Sequence, residues 1–230
     1  MPSDRATPER KAISQYVLEE CCRQILGDDV KRLKRLHEVL RNNQSTAASA
    51  GMIFKYRAHQ YLREGRVLDL SPLHANTSPG NGNHIPNDRT EQFALPRMEE
   101  HLVDEETVRT HELHTYFRPR STKSPAVDSW VLTQHNFEGP PTLLAFQVWS
   151  DTEGHGAKTI GLGQVDKLIP ADARRYLVIF TPNGVKPQVT VLTTSPTKEL
   201  LGSCEVNEEL HVFHCHVDPV ELFRQEKPQV

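Results

Sequence analysis

The chain has 230 residues, of which 37% are hydrophobic and 25% charged, and 27 basic side chains face 30 acidic ones for a net charge of −3. That composition is polar without being disordered, and it excludes a polycation that coats nucleic acid over its whole surface. The mean hydropathy is −0.56. No apolar run approaches the roughly 18 residues that suggest a membrane-spanning helix, and residues 1–12 lack the apolar stretch of a secretory signal. Four cysteines, Cys21, Cys22, Cys204 and Cys215, are too few for a disulfide scaffold in a chain of this length. A soluble protein of a reducing compartment is expected.

Residues 5–42 read as a helical arm. Ile13, Val17, Leu18, Cys21, Ile25 and Leu26 recur at three- and four-residue spacing, and Leu33, Leu36, Val39 and Leu40 resume the stripe after Gly27-Asp28-Asp29. Glycine weakens a helix interior and aspartate caps a helix start, so the pattern predicts a hairpin or a kink there. Lys31, Arg32, Lys34 and Arg35 lie between the apolar positions, as a solvated face or a phosphate-binding one. Such an arm is expected to touch the sheet little, and its stripe must be covered by itself or by a partner protein. This divides the chain into an arm, 1–46, and a main domain, 47–230.

A second helix is predicted over 47–63, with Met52, Ile53, Phe54, Ala58, Tyr61 and Leu62 facing the core and Gly65 as its stop. A short strand follows at 67–70, and residues 74–92, rich in Asn, Gly and Pro, read as an exposed loop. The rest is strand-rich, with strands expected at 127–133, 142–150, 176–181, 188–192 and 210–216 and a helix at 159–168. Leu143-Leu144-Ala145-Phe146 and Tyr176-Leu177-Val178-Ile179-Phe180 are continuously apolar, as central strands covered on both faces are. A buried strand, a crossover helix and a second buried strand make a right-handed parallel unit the default. The expected fold is α/β: a mixed central sheet flanked by helices, with the helical arm at its N-terminus.

The chemistry-bearing residues concentrate in 125–168. Asp128 opens one expected strand, Gln147 sits near the end of the next, and His155 and Lys158 follow. An acid and an amide at one sheet edge, with a lysine nearby, are residue types that can hold Mg²⁺ and stabilise charge on a phosphate. The bland alternatives are a turn-capping aspartate and a hydrogen-bonded core amide. Elsewhere, His211-Val212-Phe213-His214-Cys215-His216 holds metal-ligand types, but strand alternation splits them between two faces, so one strand does not build a tetrahedral site. An edge strand with half-exposed imidazoles is the expectation. Gly161-Leu162-Gly163 lacks the third glycine of a dinucleotide-binding turn, and nothing marks Cys204 or Cys215 as an activated nucleophile.

Several segments in order resemble the nuclease-like domain of Crinkler and RHS-type proteins of fungi and oomycetes, a branch of the PD-(D/E)XK restriction-endonuclease-like superfamily. Residues 50–59 (AGMIFKYRAH) resemble its first core helix. Residues 116–121 (YFRPRS) resemble the segment before the catalytic strand, and Val127-Asp128-Ser129 the aspartate-bearing strand start. Phe146-Gln147-Val148-Trp149-Ser150 with His155, Lys158 and Gly161-Leu162 is similar to the F-Q-x-T-x-S, H, K, G-L run. Residues 176–182 (YLVIFTP) resemble the next core strand. The resemblance implies a restriction-endonuclease-like fold, a DNA or RNA partner, the nucleus, and Mg²⁺-dependent phosphodiester hydrolysis with Asp128 and Gln147 at the metal and Lys158 and His155 beside it. The chain departs from the pattern at Lys55, where the first-helix glutamate stands in the family, and at Trp149, where the superfamily lysine stands. A degenerate domain, or a non-catalytic protein-interaction module using residues 5–42, is therefore the alternative. An ammonium from Lys55 within about 4 Å of Asp128 would occupy the metal's place electrostatically.

Overall fold

The computed structural model describes residues 15–26, 29–42, 46–73, 76–77, 90–103, 112–119, 127–134, 139–150, 158–161, 173–182, 189–192 and 210–224. Three helices come first, α1 (Gln15–Leu26), α2 (Val30–Arg41) and α3 (Ala47–Arg63). The break between α1 and α2 falls where glycine and aspartate predict it. Asp29 caps α2, its carboxylate accepting from the backbone N–H of Lys31 and Arg32. The bounds of α3 are those read from its periodicity. The chain leaves α3 through Gly65 at φ +82°, where a Cβ would also lie 3.1 Å from the Arg97 backbone nitrogen. Gly65→Ala is expected to cost about 1–2 kcal/mol, because a Cβ is strained in the left-handed region; a urea titration checks it, and an unchanged midpoint would contradict the assignment.

The strands are β1 (Val67–Pro72), β2 (Asn76–Thr77), β3 (Glu91–Ala94), β4 (Glu100–Val103), β5 (Tyr116–Pro119), β6 (Ser129–Thr133), β7 (Thr142–Val148), β8 (Lys158–Gly161), β9 (Arg174–Thr181), β10 (Val189–Leu192) and β11 (Leu210–His216), followed by the short helix α4 (Pro219–Leu222). Eight of them form one mixed sheet in the order β3-β1-β11-β9-β7-β6-β5-β4, and β2-β10-β8 form a second, parallel one. β7 and β9 are parallel neighbours, and β5, β6 and β7 are an antiparallel meander. The α/β class with a mixed sheet and helices is thus the architecture. No described helix is long and apolar enough to cross a membrane.

Period-2 alternation divides the apolar runs of β7 and β9 between two buried clusters. Leu144, Phe146, Val148, Tyr176, Val178 and Phe180 join the cluster that contains α3. Leu143, Ala145, Trp149, Leu177 and Ile179 join a second cluster on the other face. Burial of both faces is why these strands read as continuous apolar runs rather than as an alternation.

The stripe of the arm is covered in part from within: Val30 and Leu33 of α2 and Cys22 of α1 are buried in the same cluster as Ile53 and Phe54 of α3, and His37 packs against Phe223 with tilted rings whose centroids are 5.1 Å apart, while Val17 and Val39 stay exposed. Among the described residues the arm packs chiefly on α3. Two expectations need correction. The start of the expected 159–168 helix is strand β8; residues 162–168 lie outside the described residues. β11 is an interior strand between β1 and β9, not an edge. Its His214 is buried and bonded through Nε2 to the Thr181 hydroxyl at 2.8 Å, and burial, then Asp69, pushes the Cys215 thiol up to about 12. A thiol held protonated this way is no nucleophile at neutral pH.

Candidate functional site

A polar stripe crosses the otherwise buried face of α3. Gly51, Lys55, His59 and Arg63 recur every four residues, so they line one side of the helix. Each meets a different part of the sheet. A Cβ at Gly51 would lie 2.5 Å from Ser150 Oγ, so glycine lets the helix come close to the end of β7 without displacing that side chain. One turn on, Lys55 Nζ lies 3.3 Å from Asp128 Oδ1 and 3.5 Å from Oδ2. His59 Nδ1 meets the Tyr116 hydroxyl at 2.8 Å, and that hydroxyl meets Ser129 Oγ at 2.7 Å. Finally Arg63 reaches Glu100 of β4 at 3.1 Å, and Glu100 also takes Arg118 of β5 at 2.9 Å.

Asp128 sits at the mouth of the β6–β7 pair. Its backbone N–H donates to the Phe146 carbonyl at 2.8 Å, and its Oδ2 accepts the Val148 N–H at 2.7 Å. The ladder partners Ser129 with Phe146, so its continuation sets Asp128 beside Gln147 on the neighbouring strand. The carboxylate turns toward α3 and Lys55. Both side chains of that pair are 24% exposed, so the contact is partly screened and partly desolvated. The ammonium stands within the distance at which it takes the place of a bound cation.

Gln147 is half-buried on β7, and its Oε1 is buried without a hydrogen-bond partner among the described residues. Alternation sets it with Ala145 and Trp149, away from the core side that holds Phe146 and Val148. Lys158 opens β8 of the second sheet. His155 lies outside the described residues.

The donor set does not suit Mg²⁺. That ion needs several hard anionic oxygens in near-octahedral geometry. Here one carboxylate is already compensated by Lys55 and the Val148 N–H, and its register neighbour is an amide. Among the described residues no group of three or more His, Cys, Asp or Glu side chains is placed to hold a metal ion.

His59 is the most perturbed base of the site. Burial, then the charges of Arg118, Lys55 and Arg63, holds its imidazole well below the usual range. Burial likewise raises the Tyr116 phenol, against the pull of its hydrogen bond with Ser129. Ser129 is fully buried, so the Ser129–Tyr116–His59 chain ties β6, β5 and α3 together without offering a nucleophile to solvent. Sequence reading had Lys55, Asp128 and Gln147 but missed His59, Tyr116, Glu100, Arg63 and Arg118 as one network. The available signal was the four-residue recurrence of polar residues on a helix whose remaining positions are apolar.

Comparison with family models, with curated proteins and with solved structures finds no match for this chain.

Proposed function

We propose that the chain is a nucleic-acid-associated domain of the restriction-endonuclease-like kind, similar to the Crinkler and RHS-type proteins, whose metal-dependent centre has been replaced by an internal ion pair. The observation that carries the reading is the Lys55–Asp128 pair. At the position where the family pattern expects an acid, a lysine neutralises the aspartate that would otherwise hold the metal. The order of the segments supports it too: those that resemble the family fall on α3, β5, the start of β6, β7 and β9, and β5-β6-β7-β9 are consecutive neighbours in the sheet.

With its carboxylate compensated, the site lacks the excess negative charge that draws a divalent cation from water. Wild-type protein should therefore cleave plasmid and single-stranded substrates weakly or not at all with Mg²⁺ or Mn²⁺. Lys55→Glu removes the cation and adds an anionic oxygen donor beside Asp128. Its melting temperature should rise with millimolar Mn²⁺, while that of the wild type stays level. Robust wild-type cleavage abolished by Asp128→Ala would overturn the degeneracy. Robust cleavage untouched by Asp128→Ala would overturn the site itself.

A further inference from the structure

We propose that the solvent face of α2 is a docking surface for the phosphate backbone of nucleic acid. This goes beyond the reading above, because it concerns α2, whereas that reading rests on α3 and the sheet. The face carries five basic side chains, Lys31, Arg32, Lys34, Arg35 and Arg41, against one acid, Glu38, on a chain whose net charge is −3. Lys31, Arg32, Arg35 and Arg41 are exposed and Lys34 is partly so. Two of the five are engaged by neighbours on the surface: Arg32 with Asp29 at 3.2 Å and Lys34 with Glu38 at 3.9 Å. Lys31, Arg35 and Arg41 have no carboxylate partner among the described residues.

The packing of α2 decides which polyanion fits. An amphipathic helix binds a membrane by sinking its apolar face into the lipid. On α2 that face is committed to the protein, since Val30, Leu33 and His37 are buried and Leu36 and Leu40 pack against the same core. A protein partner needs an aromatic or aliphatic centre that becomes fully buried. The exposed arc offers Val39 alone, 68% exposed among charges. A nucleic-acid backbone needs only cations along a line. At 1.5 Å per residue the 12-residue helix is about 18 Å long, which spans about ten phosphate charges of a duplex.

The test is fluorescence anisotropy of the full-length chain with a labelled 20-base-pair duplex and a 20-nucleotide single strand, in EDTA, from 50 to 200 mM NaCl. EDTA separates this result from any metal-dependent chemistry at Asp128. The variants are Lys31→Glu/Arg35→Glu/Arg41→Glu, the single Arg35→Glu, and Arg224→Glu as a reversal at an exposed site elsewhere. The wild type should bind with log K falling linearly with log salt, by about 0.9 per phosphate contact. The triple reversal should flatten that slope by about two to three units and weaken binding at 50 mM NaCl at least ~10-fold. Arg35→Glu should weaken binding more than Arg224→Glu does. No binding at 50 mM NaCl overturns the proposal, as does equal binding by the triple variant or an equal loss in Arg224→Glu. Tighter binding to vesicles containing phosphatidylserine, or to poly-glutamate, than to the duplex overturns it in favour of those partners. If the triple variant fails to fold by circular dichroism, the comparison of Arg35→Glu with Arg224→Glu decides.

Discussion

Arg57→Ala is expected to destabilise the protein by about 2–4 kcal/mol, from the buried volume lost and the buried carbonyl left without its donor. Arg57 is fully buried on α3. Its Nε donates to the Leu222 carbonyl of α4 at 2.8 Å, and its two terminal nitrogens donate to the two oxygens of Glu64. Burial alone would raise the Glu64 carboxyl, but hydrogen bonds from Arg57 and Arg66 outweigh it and hold the group below the usual carboxylate range. Removing the guanidinium leaves a cavity, frees the Leu222 carbonyl and takes away one of the two cations on Glu64. Arg66, 2.8 Å from Glu64, limits the last of these. Arg57→Met keeps most of the buried stem and should recover about 1–2 kcal/mol of the loss, the part that belongs to volume. Urea titrations of the three proteins read this directly. An Arg57→Ala variant within about 0.5 kcal/mol of the wild type, the range of ordinary surface changes, would show that α4 is not held through this side chain.

Arg57 also illustrates what the sequence makes legible. An arginine inside an apolar helix reads as a solvent-facing position, yet every residue from Tyr56 to Leu62 of α3 is buried. The helix lies between the sheet and α2, so no side of this stretch reaches water freely. The bounds of α3 and β11 and the parallel pairing of β7 with β9 were legible because they depend on local periodicity and on long apolar runs. β3 and β4 were not, because each is only four residues long and shows mostly exposed or half-exposed side chains. β5 ends in proline and was visible only as a motif. The interior place of β11 depends on pairing with β1, more than a hundred residues earlier, which no local pattern encodes.

The candidate site divides the same way. Only the resemblance to a family pattern singles out Lys55, as a departure that could answer Asp128, and the ion pair joins the two across 73 positions. The His59–Tyr116–Ser129 chain joins three separate segments of the sequence. Its closure depends on the meander that brings β5 beside β6, and on α3 crossing both. A buried histidine in a helix usually signals packing; here its neighbours turn it into a titratable weak point of the fold.

Lowering the pH from 7.5 to 5.0 is expected to destabilise the protein through His59, by up to about 2 kcal/mol, the bound set by the unfolded imidazole. The folded imidazole resists protonation because burial opposes the charge, because Arg118, Lys55 and Arg63 repel it, and because a proton on Nε2 would find no acceptor among the described residues. The unfolded chain takes up that proton below about pH 6.5. A base whose folded value is depressed is thus fully stabilising above its unfolded value, and stability falls below it by about 1.4 kcal/mol per pH unit. His37, lowered less and chiefly by burial, adds a smaller loss in the same direction. Glu64, held below the carboxylate range, contributes only under about pH 4.5, outside this window. His59→Phe gives up the hydrogen bond with Tyr116 and should be less stable than the wild type at pH 7.5. It cannot be protonated, however, so its loss between pH 7.5 and 5.0 should be smaller, by up to about 2 kcal/mol. Urea midpoints at pH 7.5, 6.5, 5.5 and 5.0 for the two proteins give both quantities. Parallel pH curves would mean that His59 is protonated as readily in the folded chain as in the unfolded one, and that the buried stripe of α3 is open to water.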